Sequence, residues 1–408
     1  MRLLLIGYND TALAALDGCR PAGSVTLIEE EDLWHAKKLE PRAAAHPCLG
    51  TVRFARYQQD EQFLEVAAEL GPFDAVVAGL EYAVLAAAQA AEALGVAGAG
   101  PEAAAILRDK LLLREATAAA GMPGPAFREI RSAADIAAFA DGGPCVVKPA
   151  GRQASLGVVL LDRGDDVERA WRYCTEADEG RQLARRPMRW RYLVEERLTG
   201  QEFSTEALVH DGAVVFCNVT RKYTLPGPSP VETGHTVGPQ DEQWRRAVER
   251  LVAAVGYGSG ILHAEWMLTD AGPQLIECAA RPPGDRIMDL IDLAYGINVH
   301  DRWIGMLLGE EQPPFPEPVR AAAVRFLSAP GAGVIDQVHG AEAARALPGV
   351  HRLDLSRGPG DAVGDVRSSW DRLGLVLTTG ATPDEAEQRA DAALASVAVT
   401  LRGEELTP

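Results

Sequence analysis

Two apolar runs in the second half of the chain constrain the fold most. Ile261 to Leu268 and Pro273 to Ala280 each read as a buried strand, and Thr269-Asp270-Ala271-Gly272 between them reads as a turn. Polar side chains nevertheless interrupt both runs: His263 and Glu265 on the way out and Glu277 on the way back, with Ala279 and Arg281 following Glu277 at period two. That period puts each set on one face of its strand. Pairing as a hairpin would then bring Glu265 and Glu277 together. Two carboxylates without a thiolate or an imidazole pair suit a hard cation such as magnesium, shared with phosphate oxygens. Arg281 beside them suits a transferring phosphoryl group or an acyl phosphate. The other use of these charges is a cross-strand Glu–Arg salt bridge.

Three further clusters precede this one. Lys110 sits early in a helix, and Lys148 ends the apolar strand Cys145-Val146-Val147, so that its side chain must emerge into a cleft or solvent. The loop Ala150 to Val158 follows. Its small residues Gly151, Ala154, Ser155 and Gly157 let backbone N–H groups approach phosphate oxygens without interference from Cβ. No Gly-Lys-Ser/Thr completes a Walker A loop, and a plain hairpin turn would use the same residues. The run Val194 to Ser204 ends a strand in Glu195 and Glu196, turns at Leu198-Thr199-Gly200 and returns through Glu202. A nucleotide needs an acceptor for the adenine amino group and a carboxylate for the ribose hydroxyls. Glu195 and Glu202 could supply these, with a backbone pair near Glu196 to Leu198 reading the adenine edge.

Composition narrows the partners. The chain has 58 acidic against 40 basic residues, a formal charge of −18. Such a field repels a phosphate backbone, so nucleic acid is not an expected partner, and any polyanion site must be locally basic. The six cysteines are scattered, without a CxxC pair, and read as reduced thiols. Met1 to Gly7 is too short for a signal segment, and no run approaches the roughly 18 apolar residues of a membrane helix. The expectation is a cytoplasmic protein with no membrane partner.

The 408 residues suit two or three domains. Strand signals at Leu3–Ile6, Ser24–Glu29 and Ala75–Ala78, with alanine-rich helices such as Tyr82–Leu94, predict an open parallel α/β sheet over residues 1–100. The first strand is followed by Gly7-Tyr8-Asn9-Asp10-Thr11-Ala12, which lacks the GxGxxG of a dinucleotide site. A nicotinamide-dependent oxidoreductase is therefore disfavoured. A Gly-rich junction precedes Pro101, from which one helix is predicted to about Ala120. Strands and helices continue to residue 311, and the four prolines of Gln312 to Pro318 read as a linker into a segment with two ββα-like passages.

Taken in order, Arg108-Asp109-Lys110, Val146-Val147-Lys148-Pro149, Glu195 to Glu202, and Glu265 followed by Ile276 to Arg281 resemble the ATP-grasp superfamily over nearly the whole chain. The resemblance implies an α/β ATP-grasp fold: an N-terminal pre-grasp domain (1–100), a grasp domain (101–311, its lid at about 120–190) and a C-terminal α+β segment (312–408) that completes the substrate site. It implies ATP and magnesium as cofactors. Lys110 and Lys148 would contact phosphates under the closing 150–157 loop, Glu195 and Leu198 would frame adenine, Glu202 the ribose, and Glu265 and Glu277 the magnesium ions. Val231-Glu232-Thr233-Gly234-His235 and Arg281-Pro282-Pro283-Gly284-Asp285 are similar to carboxylate–amine ligases that couple amino acids into dipeptides. There Glu232, His235, Arg281, Gly284 and Asp285 would line the amino acid site, with Lys148 and Arg281 neutralising charge and Glu232 or His235 removing a proton from the amine. The Ser368 to Gly374 run resembles the tail of that site, and dimerisation is common in relatives. One position departs from the pattern: Ala279 stands where the family has an asparagine ligand, which implies a second magnesium held with extra water or bound more weakly. A biotin-dependent carboxylase and a non-catalytic nucleotide-binding regulator are the competing readings.

Overall fold

Leu3-Leu4-Leu5-Ile6 is buried along its whole length, as a parallel strand covered on both faces must be. In the computed structural model, which describes residues 1–140, 143–225, 231–238, 241–366 and 368–402, this strand (β1, Leu3–Ile6) lies between β2 (Val25–Glu29) and β4 (Ala75–Ala78), with β3 (Leu49–Phe54) outside β2. All three pairings are parallel. The half-exposed edge strand β3, carrying Arg53, has no apolar run to announce it.

The helix predicted from Pro101 to Ala120 is two helices, Pro101–Arg108 and Lys110–Ala119. Asp109 between them is extended (φ −129°, ψ 109°), and its carboxylate accepts the N–H groups of Leu111 and Leu112. An aspartate that caps a new helix ends the old one. Lys110 thereby becomes the first residue of a helix that buries Leu111, Leu113, Arg114 and Thr117.

A second, antiparallel sheet has the order β5 (Phe127–Ile130), β8 (Tyr192–Glu196), β6 (Cys145–Pro149), β7 (Val159–Leu161). It packs Val147, Leu161 and Val194 against Ile136 and Cys174 of its covering helices. The third sheet is the frame of the molecule. It contains β9 (Gln201–His210), β10 (Ala213–Thr224), β11 (Glu232–Val237), β12 (Gly260–Thr269) and β13 (Gly272–Ala279), in the order β13-β12-β9-β10-β11.

Past the irregular stretch at 311–318, β14 (Ala321–Leu327) pairs with β11, and β18 (Gly374–Gly380) and β16 (Val350–Leu355) follow it, making one eight-stranded sheet. Strands β15 (Gly333–His339), β17 (Ala362–Val363) and β19 (Ala398–Leu401) form a small sheet beside it. The two expected ββα passages end in the helices Ala341–Arg345 and Pro383–Ala395.

The seam between β11 and β14 depends on Gly234, which pairs with Arg325. A Cβ there would lie 2.6 Å from the Val324 carbonyl oxygen. Because the obstacle is backbone, Gly234→Ala is expected to destabilise the protein by about 2 kcal/mol, read as a lower midpoint in thermal or urea unfolding; an unchanged midpoint would show that the seam yields.

Candidate functional site

The inward faces of the central strands carry polar groups at period two: Glu202, Ser204 and Glu206 on β9, Asn218, Thr220 and Lys222 on β10, His263 and Glu265 on β12. Strand register places Glu265 directly across from Glu277 and His263 across from Ala279. The two glutamates of the hairpin therefore do meet. They do not bridge to Arg281: Glu277 pairs with Lys110 (2.9 Å) and Arg281 with Glu81 (2.6 Å).

At the centre lies Lys222, which sequence reasoning missed. It is 2% exposed, with Nζ 2.6 Å from both Glu202 and Glu265 and 3.6 Å from Glu232. Burial works against its charge, but these three carboxylates outweigh burial and hold the ammonium well above the usual lysine range. Burial likewise opposes ionisation of Glu265, yet Lys222 and His263 hold it well below the usual carboxylate range. The available signal was alternation along Asn218-Val219-Thr220-Arg221-Lys222, polar at every second residue.

Beneath this centre, the fully buried Glu206 accepts hydrogen bonds from Ser204 Oγ (2.7 Å), Asn218 Nδ2 (2.7 Å), Thr220 Oγ1 (2.8 Å) and His263 Nδ1 (2.9 Å). His263 Nε2 lies 3.4 Å from Glu265. Burial would lower the His263 pKa, but Glu206 and Glu265 raise it to about 9.

Two cavities, each of about 310 Å³, meet over the glutamate pair. The first is bordered by Lys110, Lys148, Ser155, Glu195, Glu196, Leu198 and Glu202. The second is bordered by Glu81, His235, Arg281, Gly284 and Asp285. Ser155, Glu232, Glu265 and Glu277 border both. Ala154 and Ser155 hold left-handed backbone (φ 56° and 55°), which is costly for two successive non-glycine residues and presents Ser155 at the junction.

Several expected residues sit differently. Gly151 and Gly157 do not border the first cavity. The Gly151 carbonyl accepts Arg108 NH2 at 2.9 Å, and Gly157 (φ 78°) packs where a Cβ would meet the Cys174 carbonyl at 3.0 Å. These glycines serve the loop's turns. Glu195 borders the cavity, and its carboxylate oxygens contact Lys148 and Arg114 Nε (2.9 Å), so it also braces the lysine. Arg114 also donates to the carbonyls of Leu275 and Ile276 (2.8 Å each), tying β8 to β13.

In the second cavity, Glu81 was not foreseen. Burial would raise its pKa, but Arg108 and Arg281 bring it down to about 2. His235 Nε2 is 3.2 Å from Asp285, and its Nδ1 is buried with no hydrogen-bond partner among the described residues. Arg372, from the C-terminal segment, binds Asp285 (2.7 Å) and Glu232 (3.0 Å). Ser369 Oγ donates to Glu232 at 3.2 Å. The tail thus completes the chamber through an arginine and a serine.

A hard divalent cation fits this donor set. Glu265 and Glu277 offer only carboxylate oxygens, directly opposed on neighbouring strands and facing both cavities. Among the described residues no group of three or more His, Cys, Asp or Glu forms a self-sufficient metal cage. Magnesium is commonly held by one or two carboxylates together with substrate phosphates.

Family comparison matches residues 142–289 to the ATP-grasp domain and residues 325–402 to the L-amino acid ligase C-terminal domain 2. Protein y4rH of Sinorhizobium fredii is 28% identical over 319 residues, covering 74% of this chain and 62% of its own length. The L-arginine-specific L-amino acid ligase of Bacillus subtilis is 24% identical over 310 residues, covering 74% of each chain. The crystal structure of an L-amino acid ligase from Bacillus licheniformis superposes with a TM-score of 0.80 at 22% identity, over 98% of this chain and 99% of that one. The fold is the ATP-grasp fold.

The raised pKa of His263 has a consequence for stability. Its charged form contributes fully below the unfolded value of 6.5, and that contribution is lost as pH rises through about 9. The unfolding midpoint is expected to fall across this range, and His263→Gln to flatten the fall; an equal slope in both proteins would contradict the Glu206–His263–Glu265 arrangement.

Proposed function

We propose that this chain, which belongs to the ATP-grasp superfamily, is an ADP-forming ligase that joins an amino acid carboxylate to the amine of a second amino acid. The observation that carries this reading is the meeting of two chambers over Glu265 and Glu277: one bordered by two lysines and a small-residue loop, the other by Glu81, Glu232 and Arg281. The match to an L-amino acid ligase C-terminal domain favours it over a biotin-dependent carboxylase.

In this reading ATP occupies the first chamber as a substrate. Lys110, Lys148 and Ser155 take its phosphates, Glu202 its ribose, and the backbone around Glu196 to Leu198 its adenine edge. Glu265 and Glu277 hold magnesium, which supplies positive charge to the phosphate oxygens when bound. The amino acid carboxylate oxygen attacks the γ-phosphorus, the bond to ADP breaks, and an acyl phosphate forms. Arg281 neutralises charge on that group. Lys222 fixes the spacing of Glu202, Glu265 and Glu232, so nucleotide, metal and substrate groups are positioned as one unit.

The amine of the second amino acid then attacks the carbonyl carbon, and phosphate leaves. That amine is protonated at neutral pH and must lose a proton first. Glu232 is engaged by Lys222, Arg372 and Ser369. His235 borders the same chamber with Nε2 3.2 Å from Asp285, and Glu232 or His235 takes the proton. Closure of the 150–157 loop keeps water from the acyl phosphate. The protein acts on small molecules, and the reading places it in the cytoplasm.

The test is phosphate release from ATP by purified protein offered amino acids singly and in pairs, with mass analysis of products. Release is expected only with suitable amino acids, accompanied by a dipeptide and ADP. Glu277→Gln is expected to lose at least about 100-fold in turnover. Unchanged release in that variant, or release independent of amino acids, would overturn the reading.

A further inference from the structure

Beyond Gly284 and Asp285 the substrate chamber opens into a third cavity of about 560 Å³, sharing Asn9, the Pro282–Asp285 run and Ser369–Trp370 with it. None of the roles assigned above uses this space. Its apolar wall is made by Met288, Phe326, Leu355 and Leu375, and Trp370, 43% exposed, stands at its mouth. Against that wall lies His300, 3% exposed on the Val299–Leu307 helix, whose ring makes no hydrogen bond or ion pair among the described residues. Burial lowers its pKa to about 4, so the imidazole is neutral at physiological pH and offers one donor and one acceptor.

The carboxylates around this cavity already have cations. Asp285 binds Arg372 at 2.7 Å, and Arg286 lies 3.5 Å from Asp289 and 3.8 Å from Asp354. Arg286 achieves this from left-handed backbone (φ 63°), directly after Asp285 (φ 55°). An ionic side chain entering here would find its counter-charge already taken. A neutral polar group would find the imidazole of His300. A methyl side chain would leave most of the space empty.

We infer that this third cavity receives the side chain of one of the two amino acid substrates, and that it selects a large uncharged side chain ending in a hydrogen-bonding group, such as an amide or a phenol. The inference rests on the amino acid ligase reading. Such a side chain buries its stem against Phe326 and Leu375 and satisfies the His300 imidazole, which has no hydrogen-bond partner among the described residues. A site built to hydrogen-bond a substrate group rejects analogues that lack it more strongly than an apolar pocket distinguishes sizes.

The experiment measures KM for alanine, leucine, glutamine, tyrosine, glutamate and lysine by phosphate release, each with a fixed partner amino acid at saturation. Glutamine or tyrosine is expected to have a KM at least about ten-fold below those of alanine, glutamate and lysine. In His300→Leu the ratio of KM for glutamine to KM for leucine is expected to rise about ten-fold, with KM for ATP unmoved. Because His300 is buried, Trp370→Ala at the exposed mouth gives a second readout: KM rises for the bulky substrates and not for alanine. Preference for an ionic or small side chain, or equal effects of both substitutions on every amino acid, would overturn the inference while leaving the ligase reading intact. Absence of release with any amino acid would instead remove the ligase reading and this inference with it.

Discussion

A single buried ammonium group organises the centre of this protein. Lys222 has Nζ 2.6 Å from both Glu202 and Glu265, with Glu232 at 3.6 Å. Without it, three carboxylates from three strands would repel one another in a poorly solvated space, and at least one would have to take up a proton. With it, the three remain close enough to act on neighbouring parts of one reaction. Glu206 does the same one layer deeper for His263, which in turn abuts Glu265. Alternating charges, Glu206 to His263 to Glu265 to Lys222, thus run from the core of the sheet to the junction of the two cavities.

A second brace ties the four-stranded antiparallel sheet to this one. Arg114 holds Glu195 of β8 and two carbonyls of β13 at once, and Glu195 holds Lys148. The four-stranded sheet is therefore tied through Arg114 to the strand that carries Glu277. The C-terminal segment contributes through the hydrogen-bonded continuity of the eight-stranded sheet and through Arg372 and Ser369 at Glu232. The second cavity is thus assembled from distant parts of the chain, beginning with Glu81 near the end of the first sheet.

The sequence made the hairpin of Glu265 and Glu277 legible, because period-two alternation is local and a turn of Thr269 to Gly272 fixes the partner strand. It also made Lys110, Lys148, Ser155 and Glu202 legible as candidates for one cleft. Gly151 and Gly157 lie outside the cavity lining; a small residue serves a turn and a phosphate equally well, and the sequence alone does not separate the two uses. The break at Asp109 was hidden by strong helix formers on both sides. Lys222, Glu81 and Arg114 were hidden for a different reason. Their partners lie on distant strands and helices, and a lone lysine, glutamate or arginine in a sequence looks like solvated surface. Adjacent pairing of β11 with β14 is likewise non-local and left no periodic mark.

The central claim is that an amino acid carboxylate is activated by phosphoryl transfer over the Glu265–Glu277 pair. The most direct measurement follows oxygen. An amino acid labelled with ¹⁸O in its carboxylate is incubated with ATP, magnesium and the acceptor amino acid, and the released phosphate is examined by mass spectrometry. Attack of the carboxylate on the γ-phosphorus followed by amide formation leaves one labelled oxygen in the phosphate. Labelled phosphate appearing together with the dipeptide is the predicted result; unlabelled phosphate from an equally labelled substrate would contradict the account.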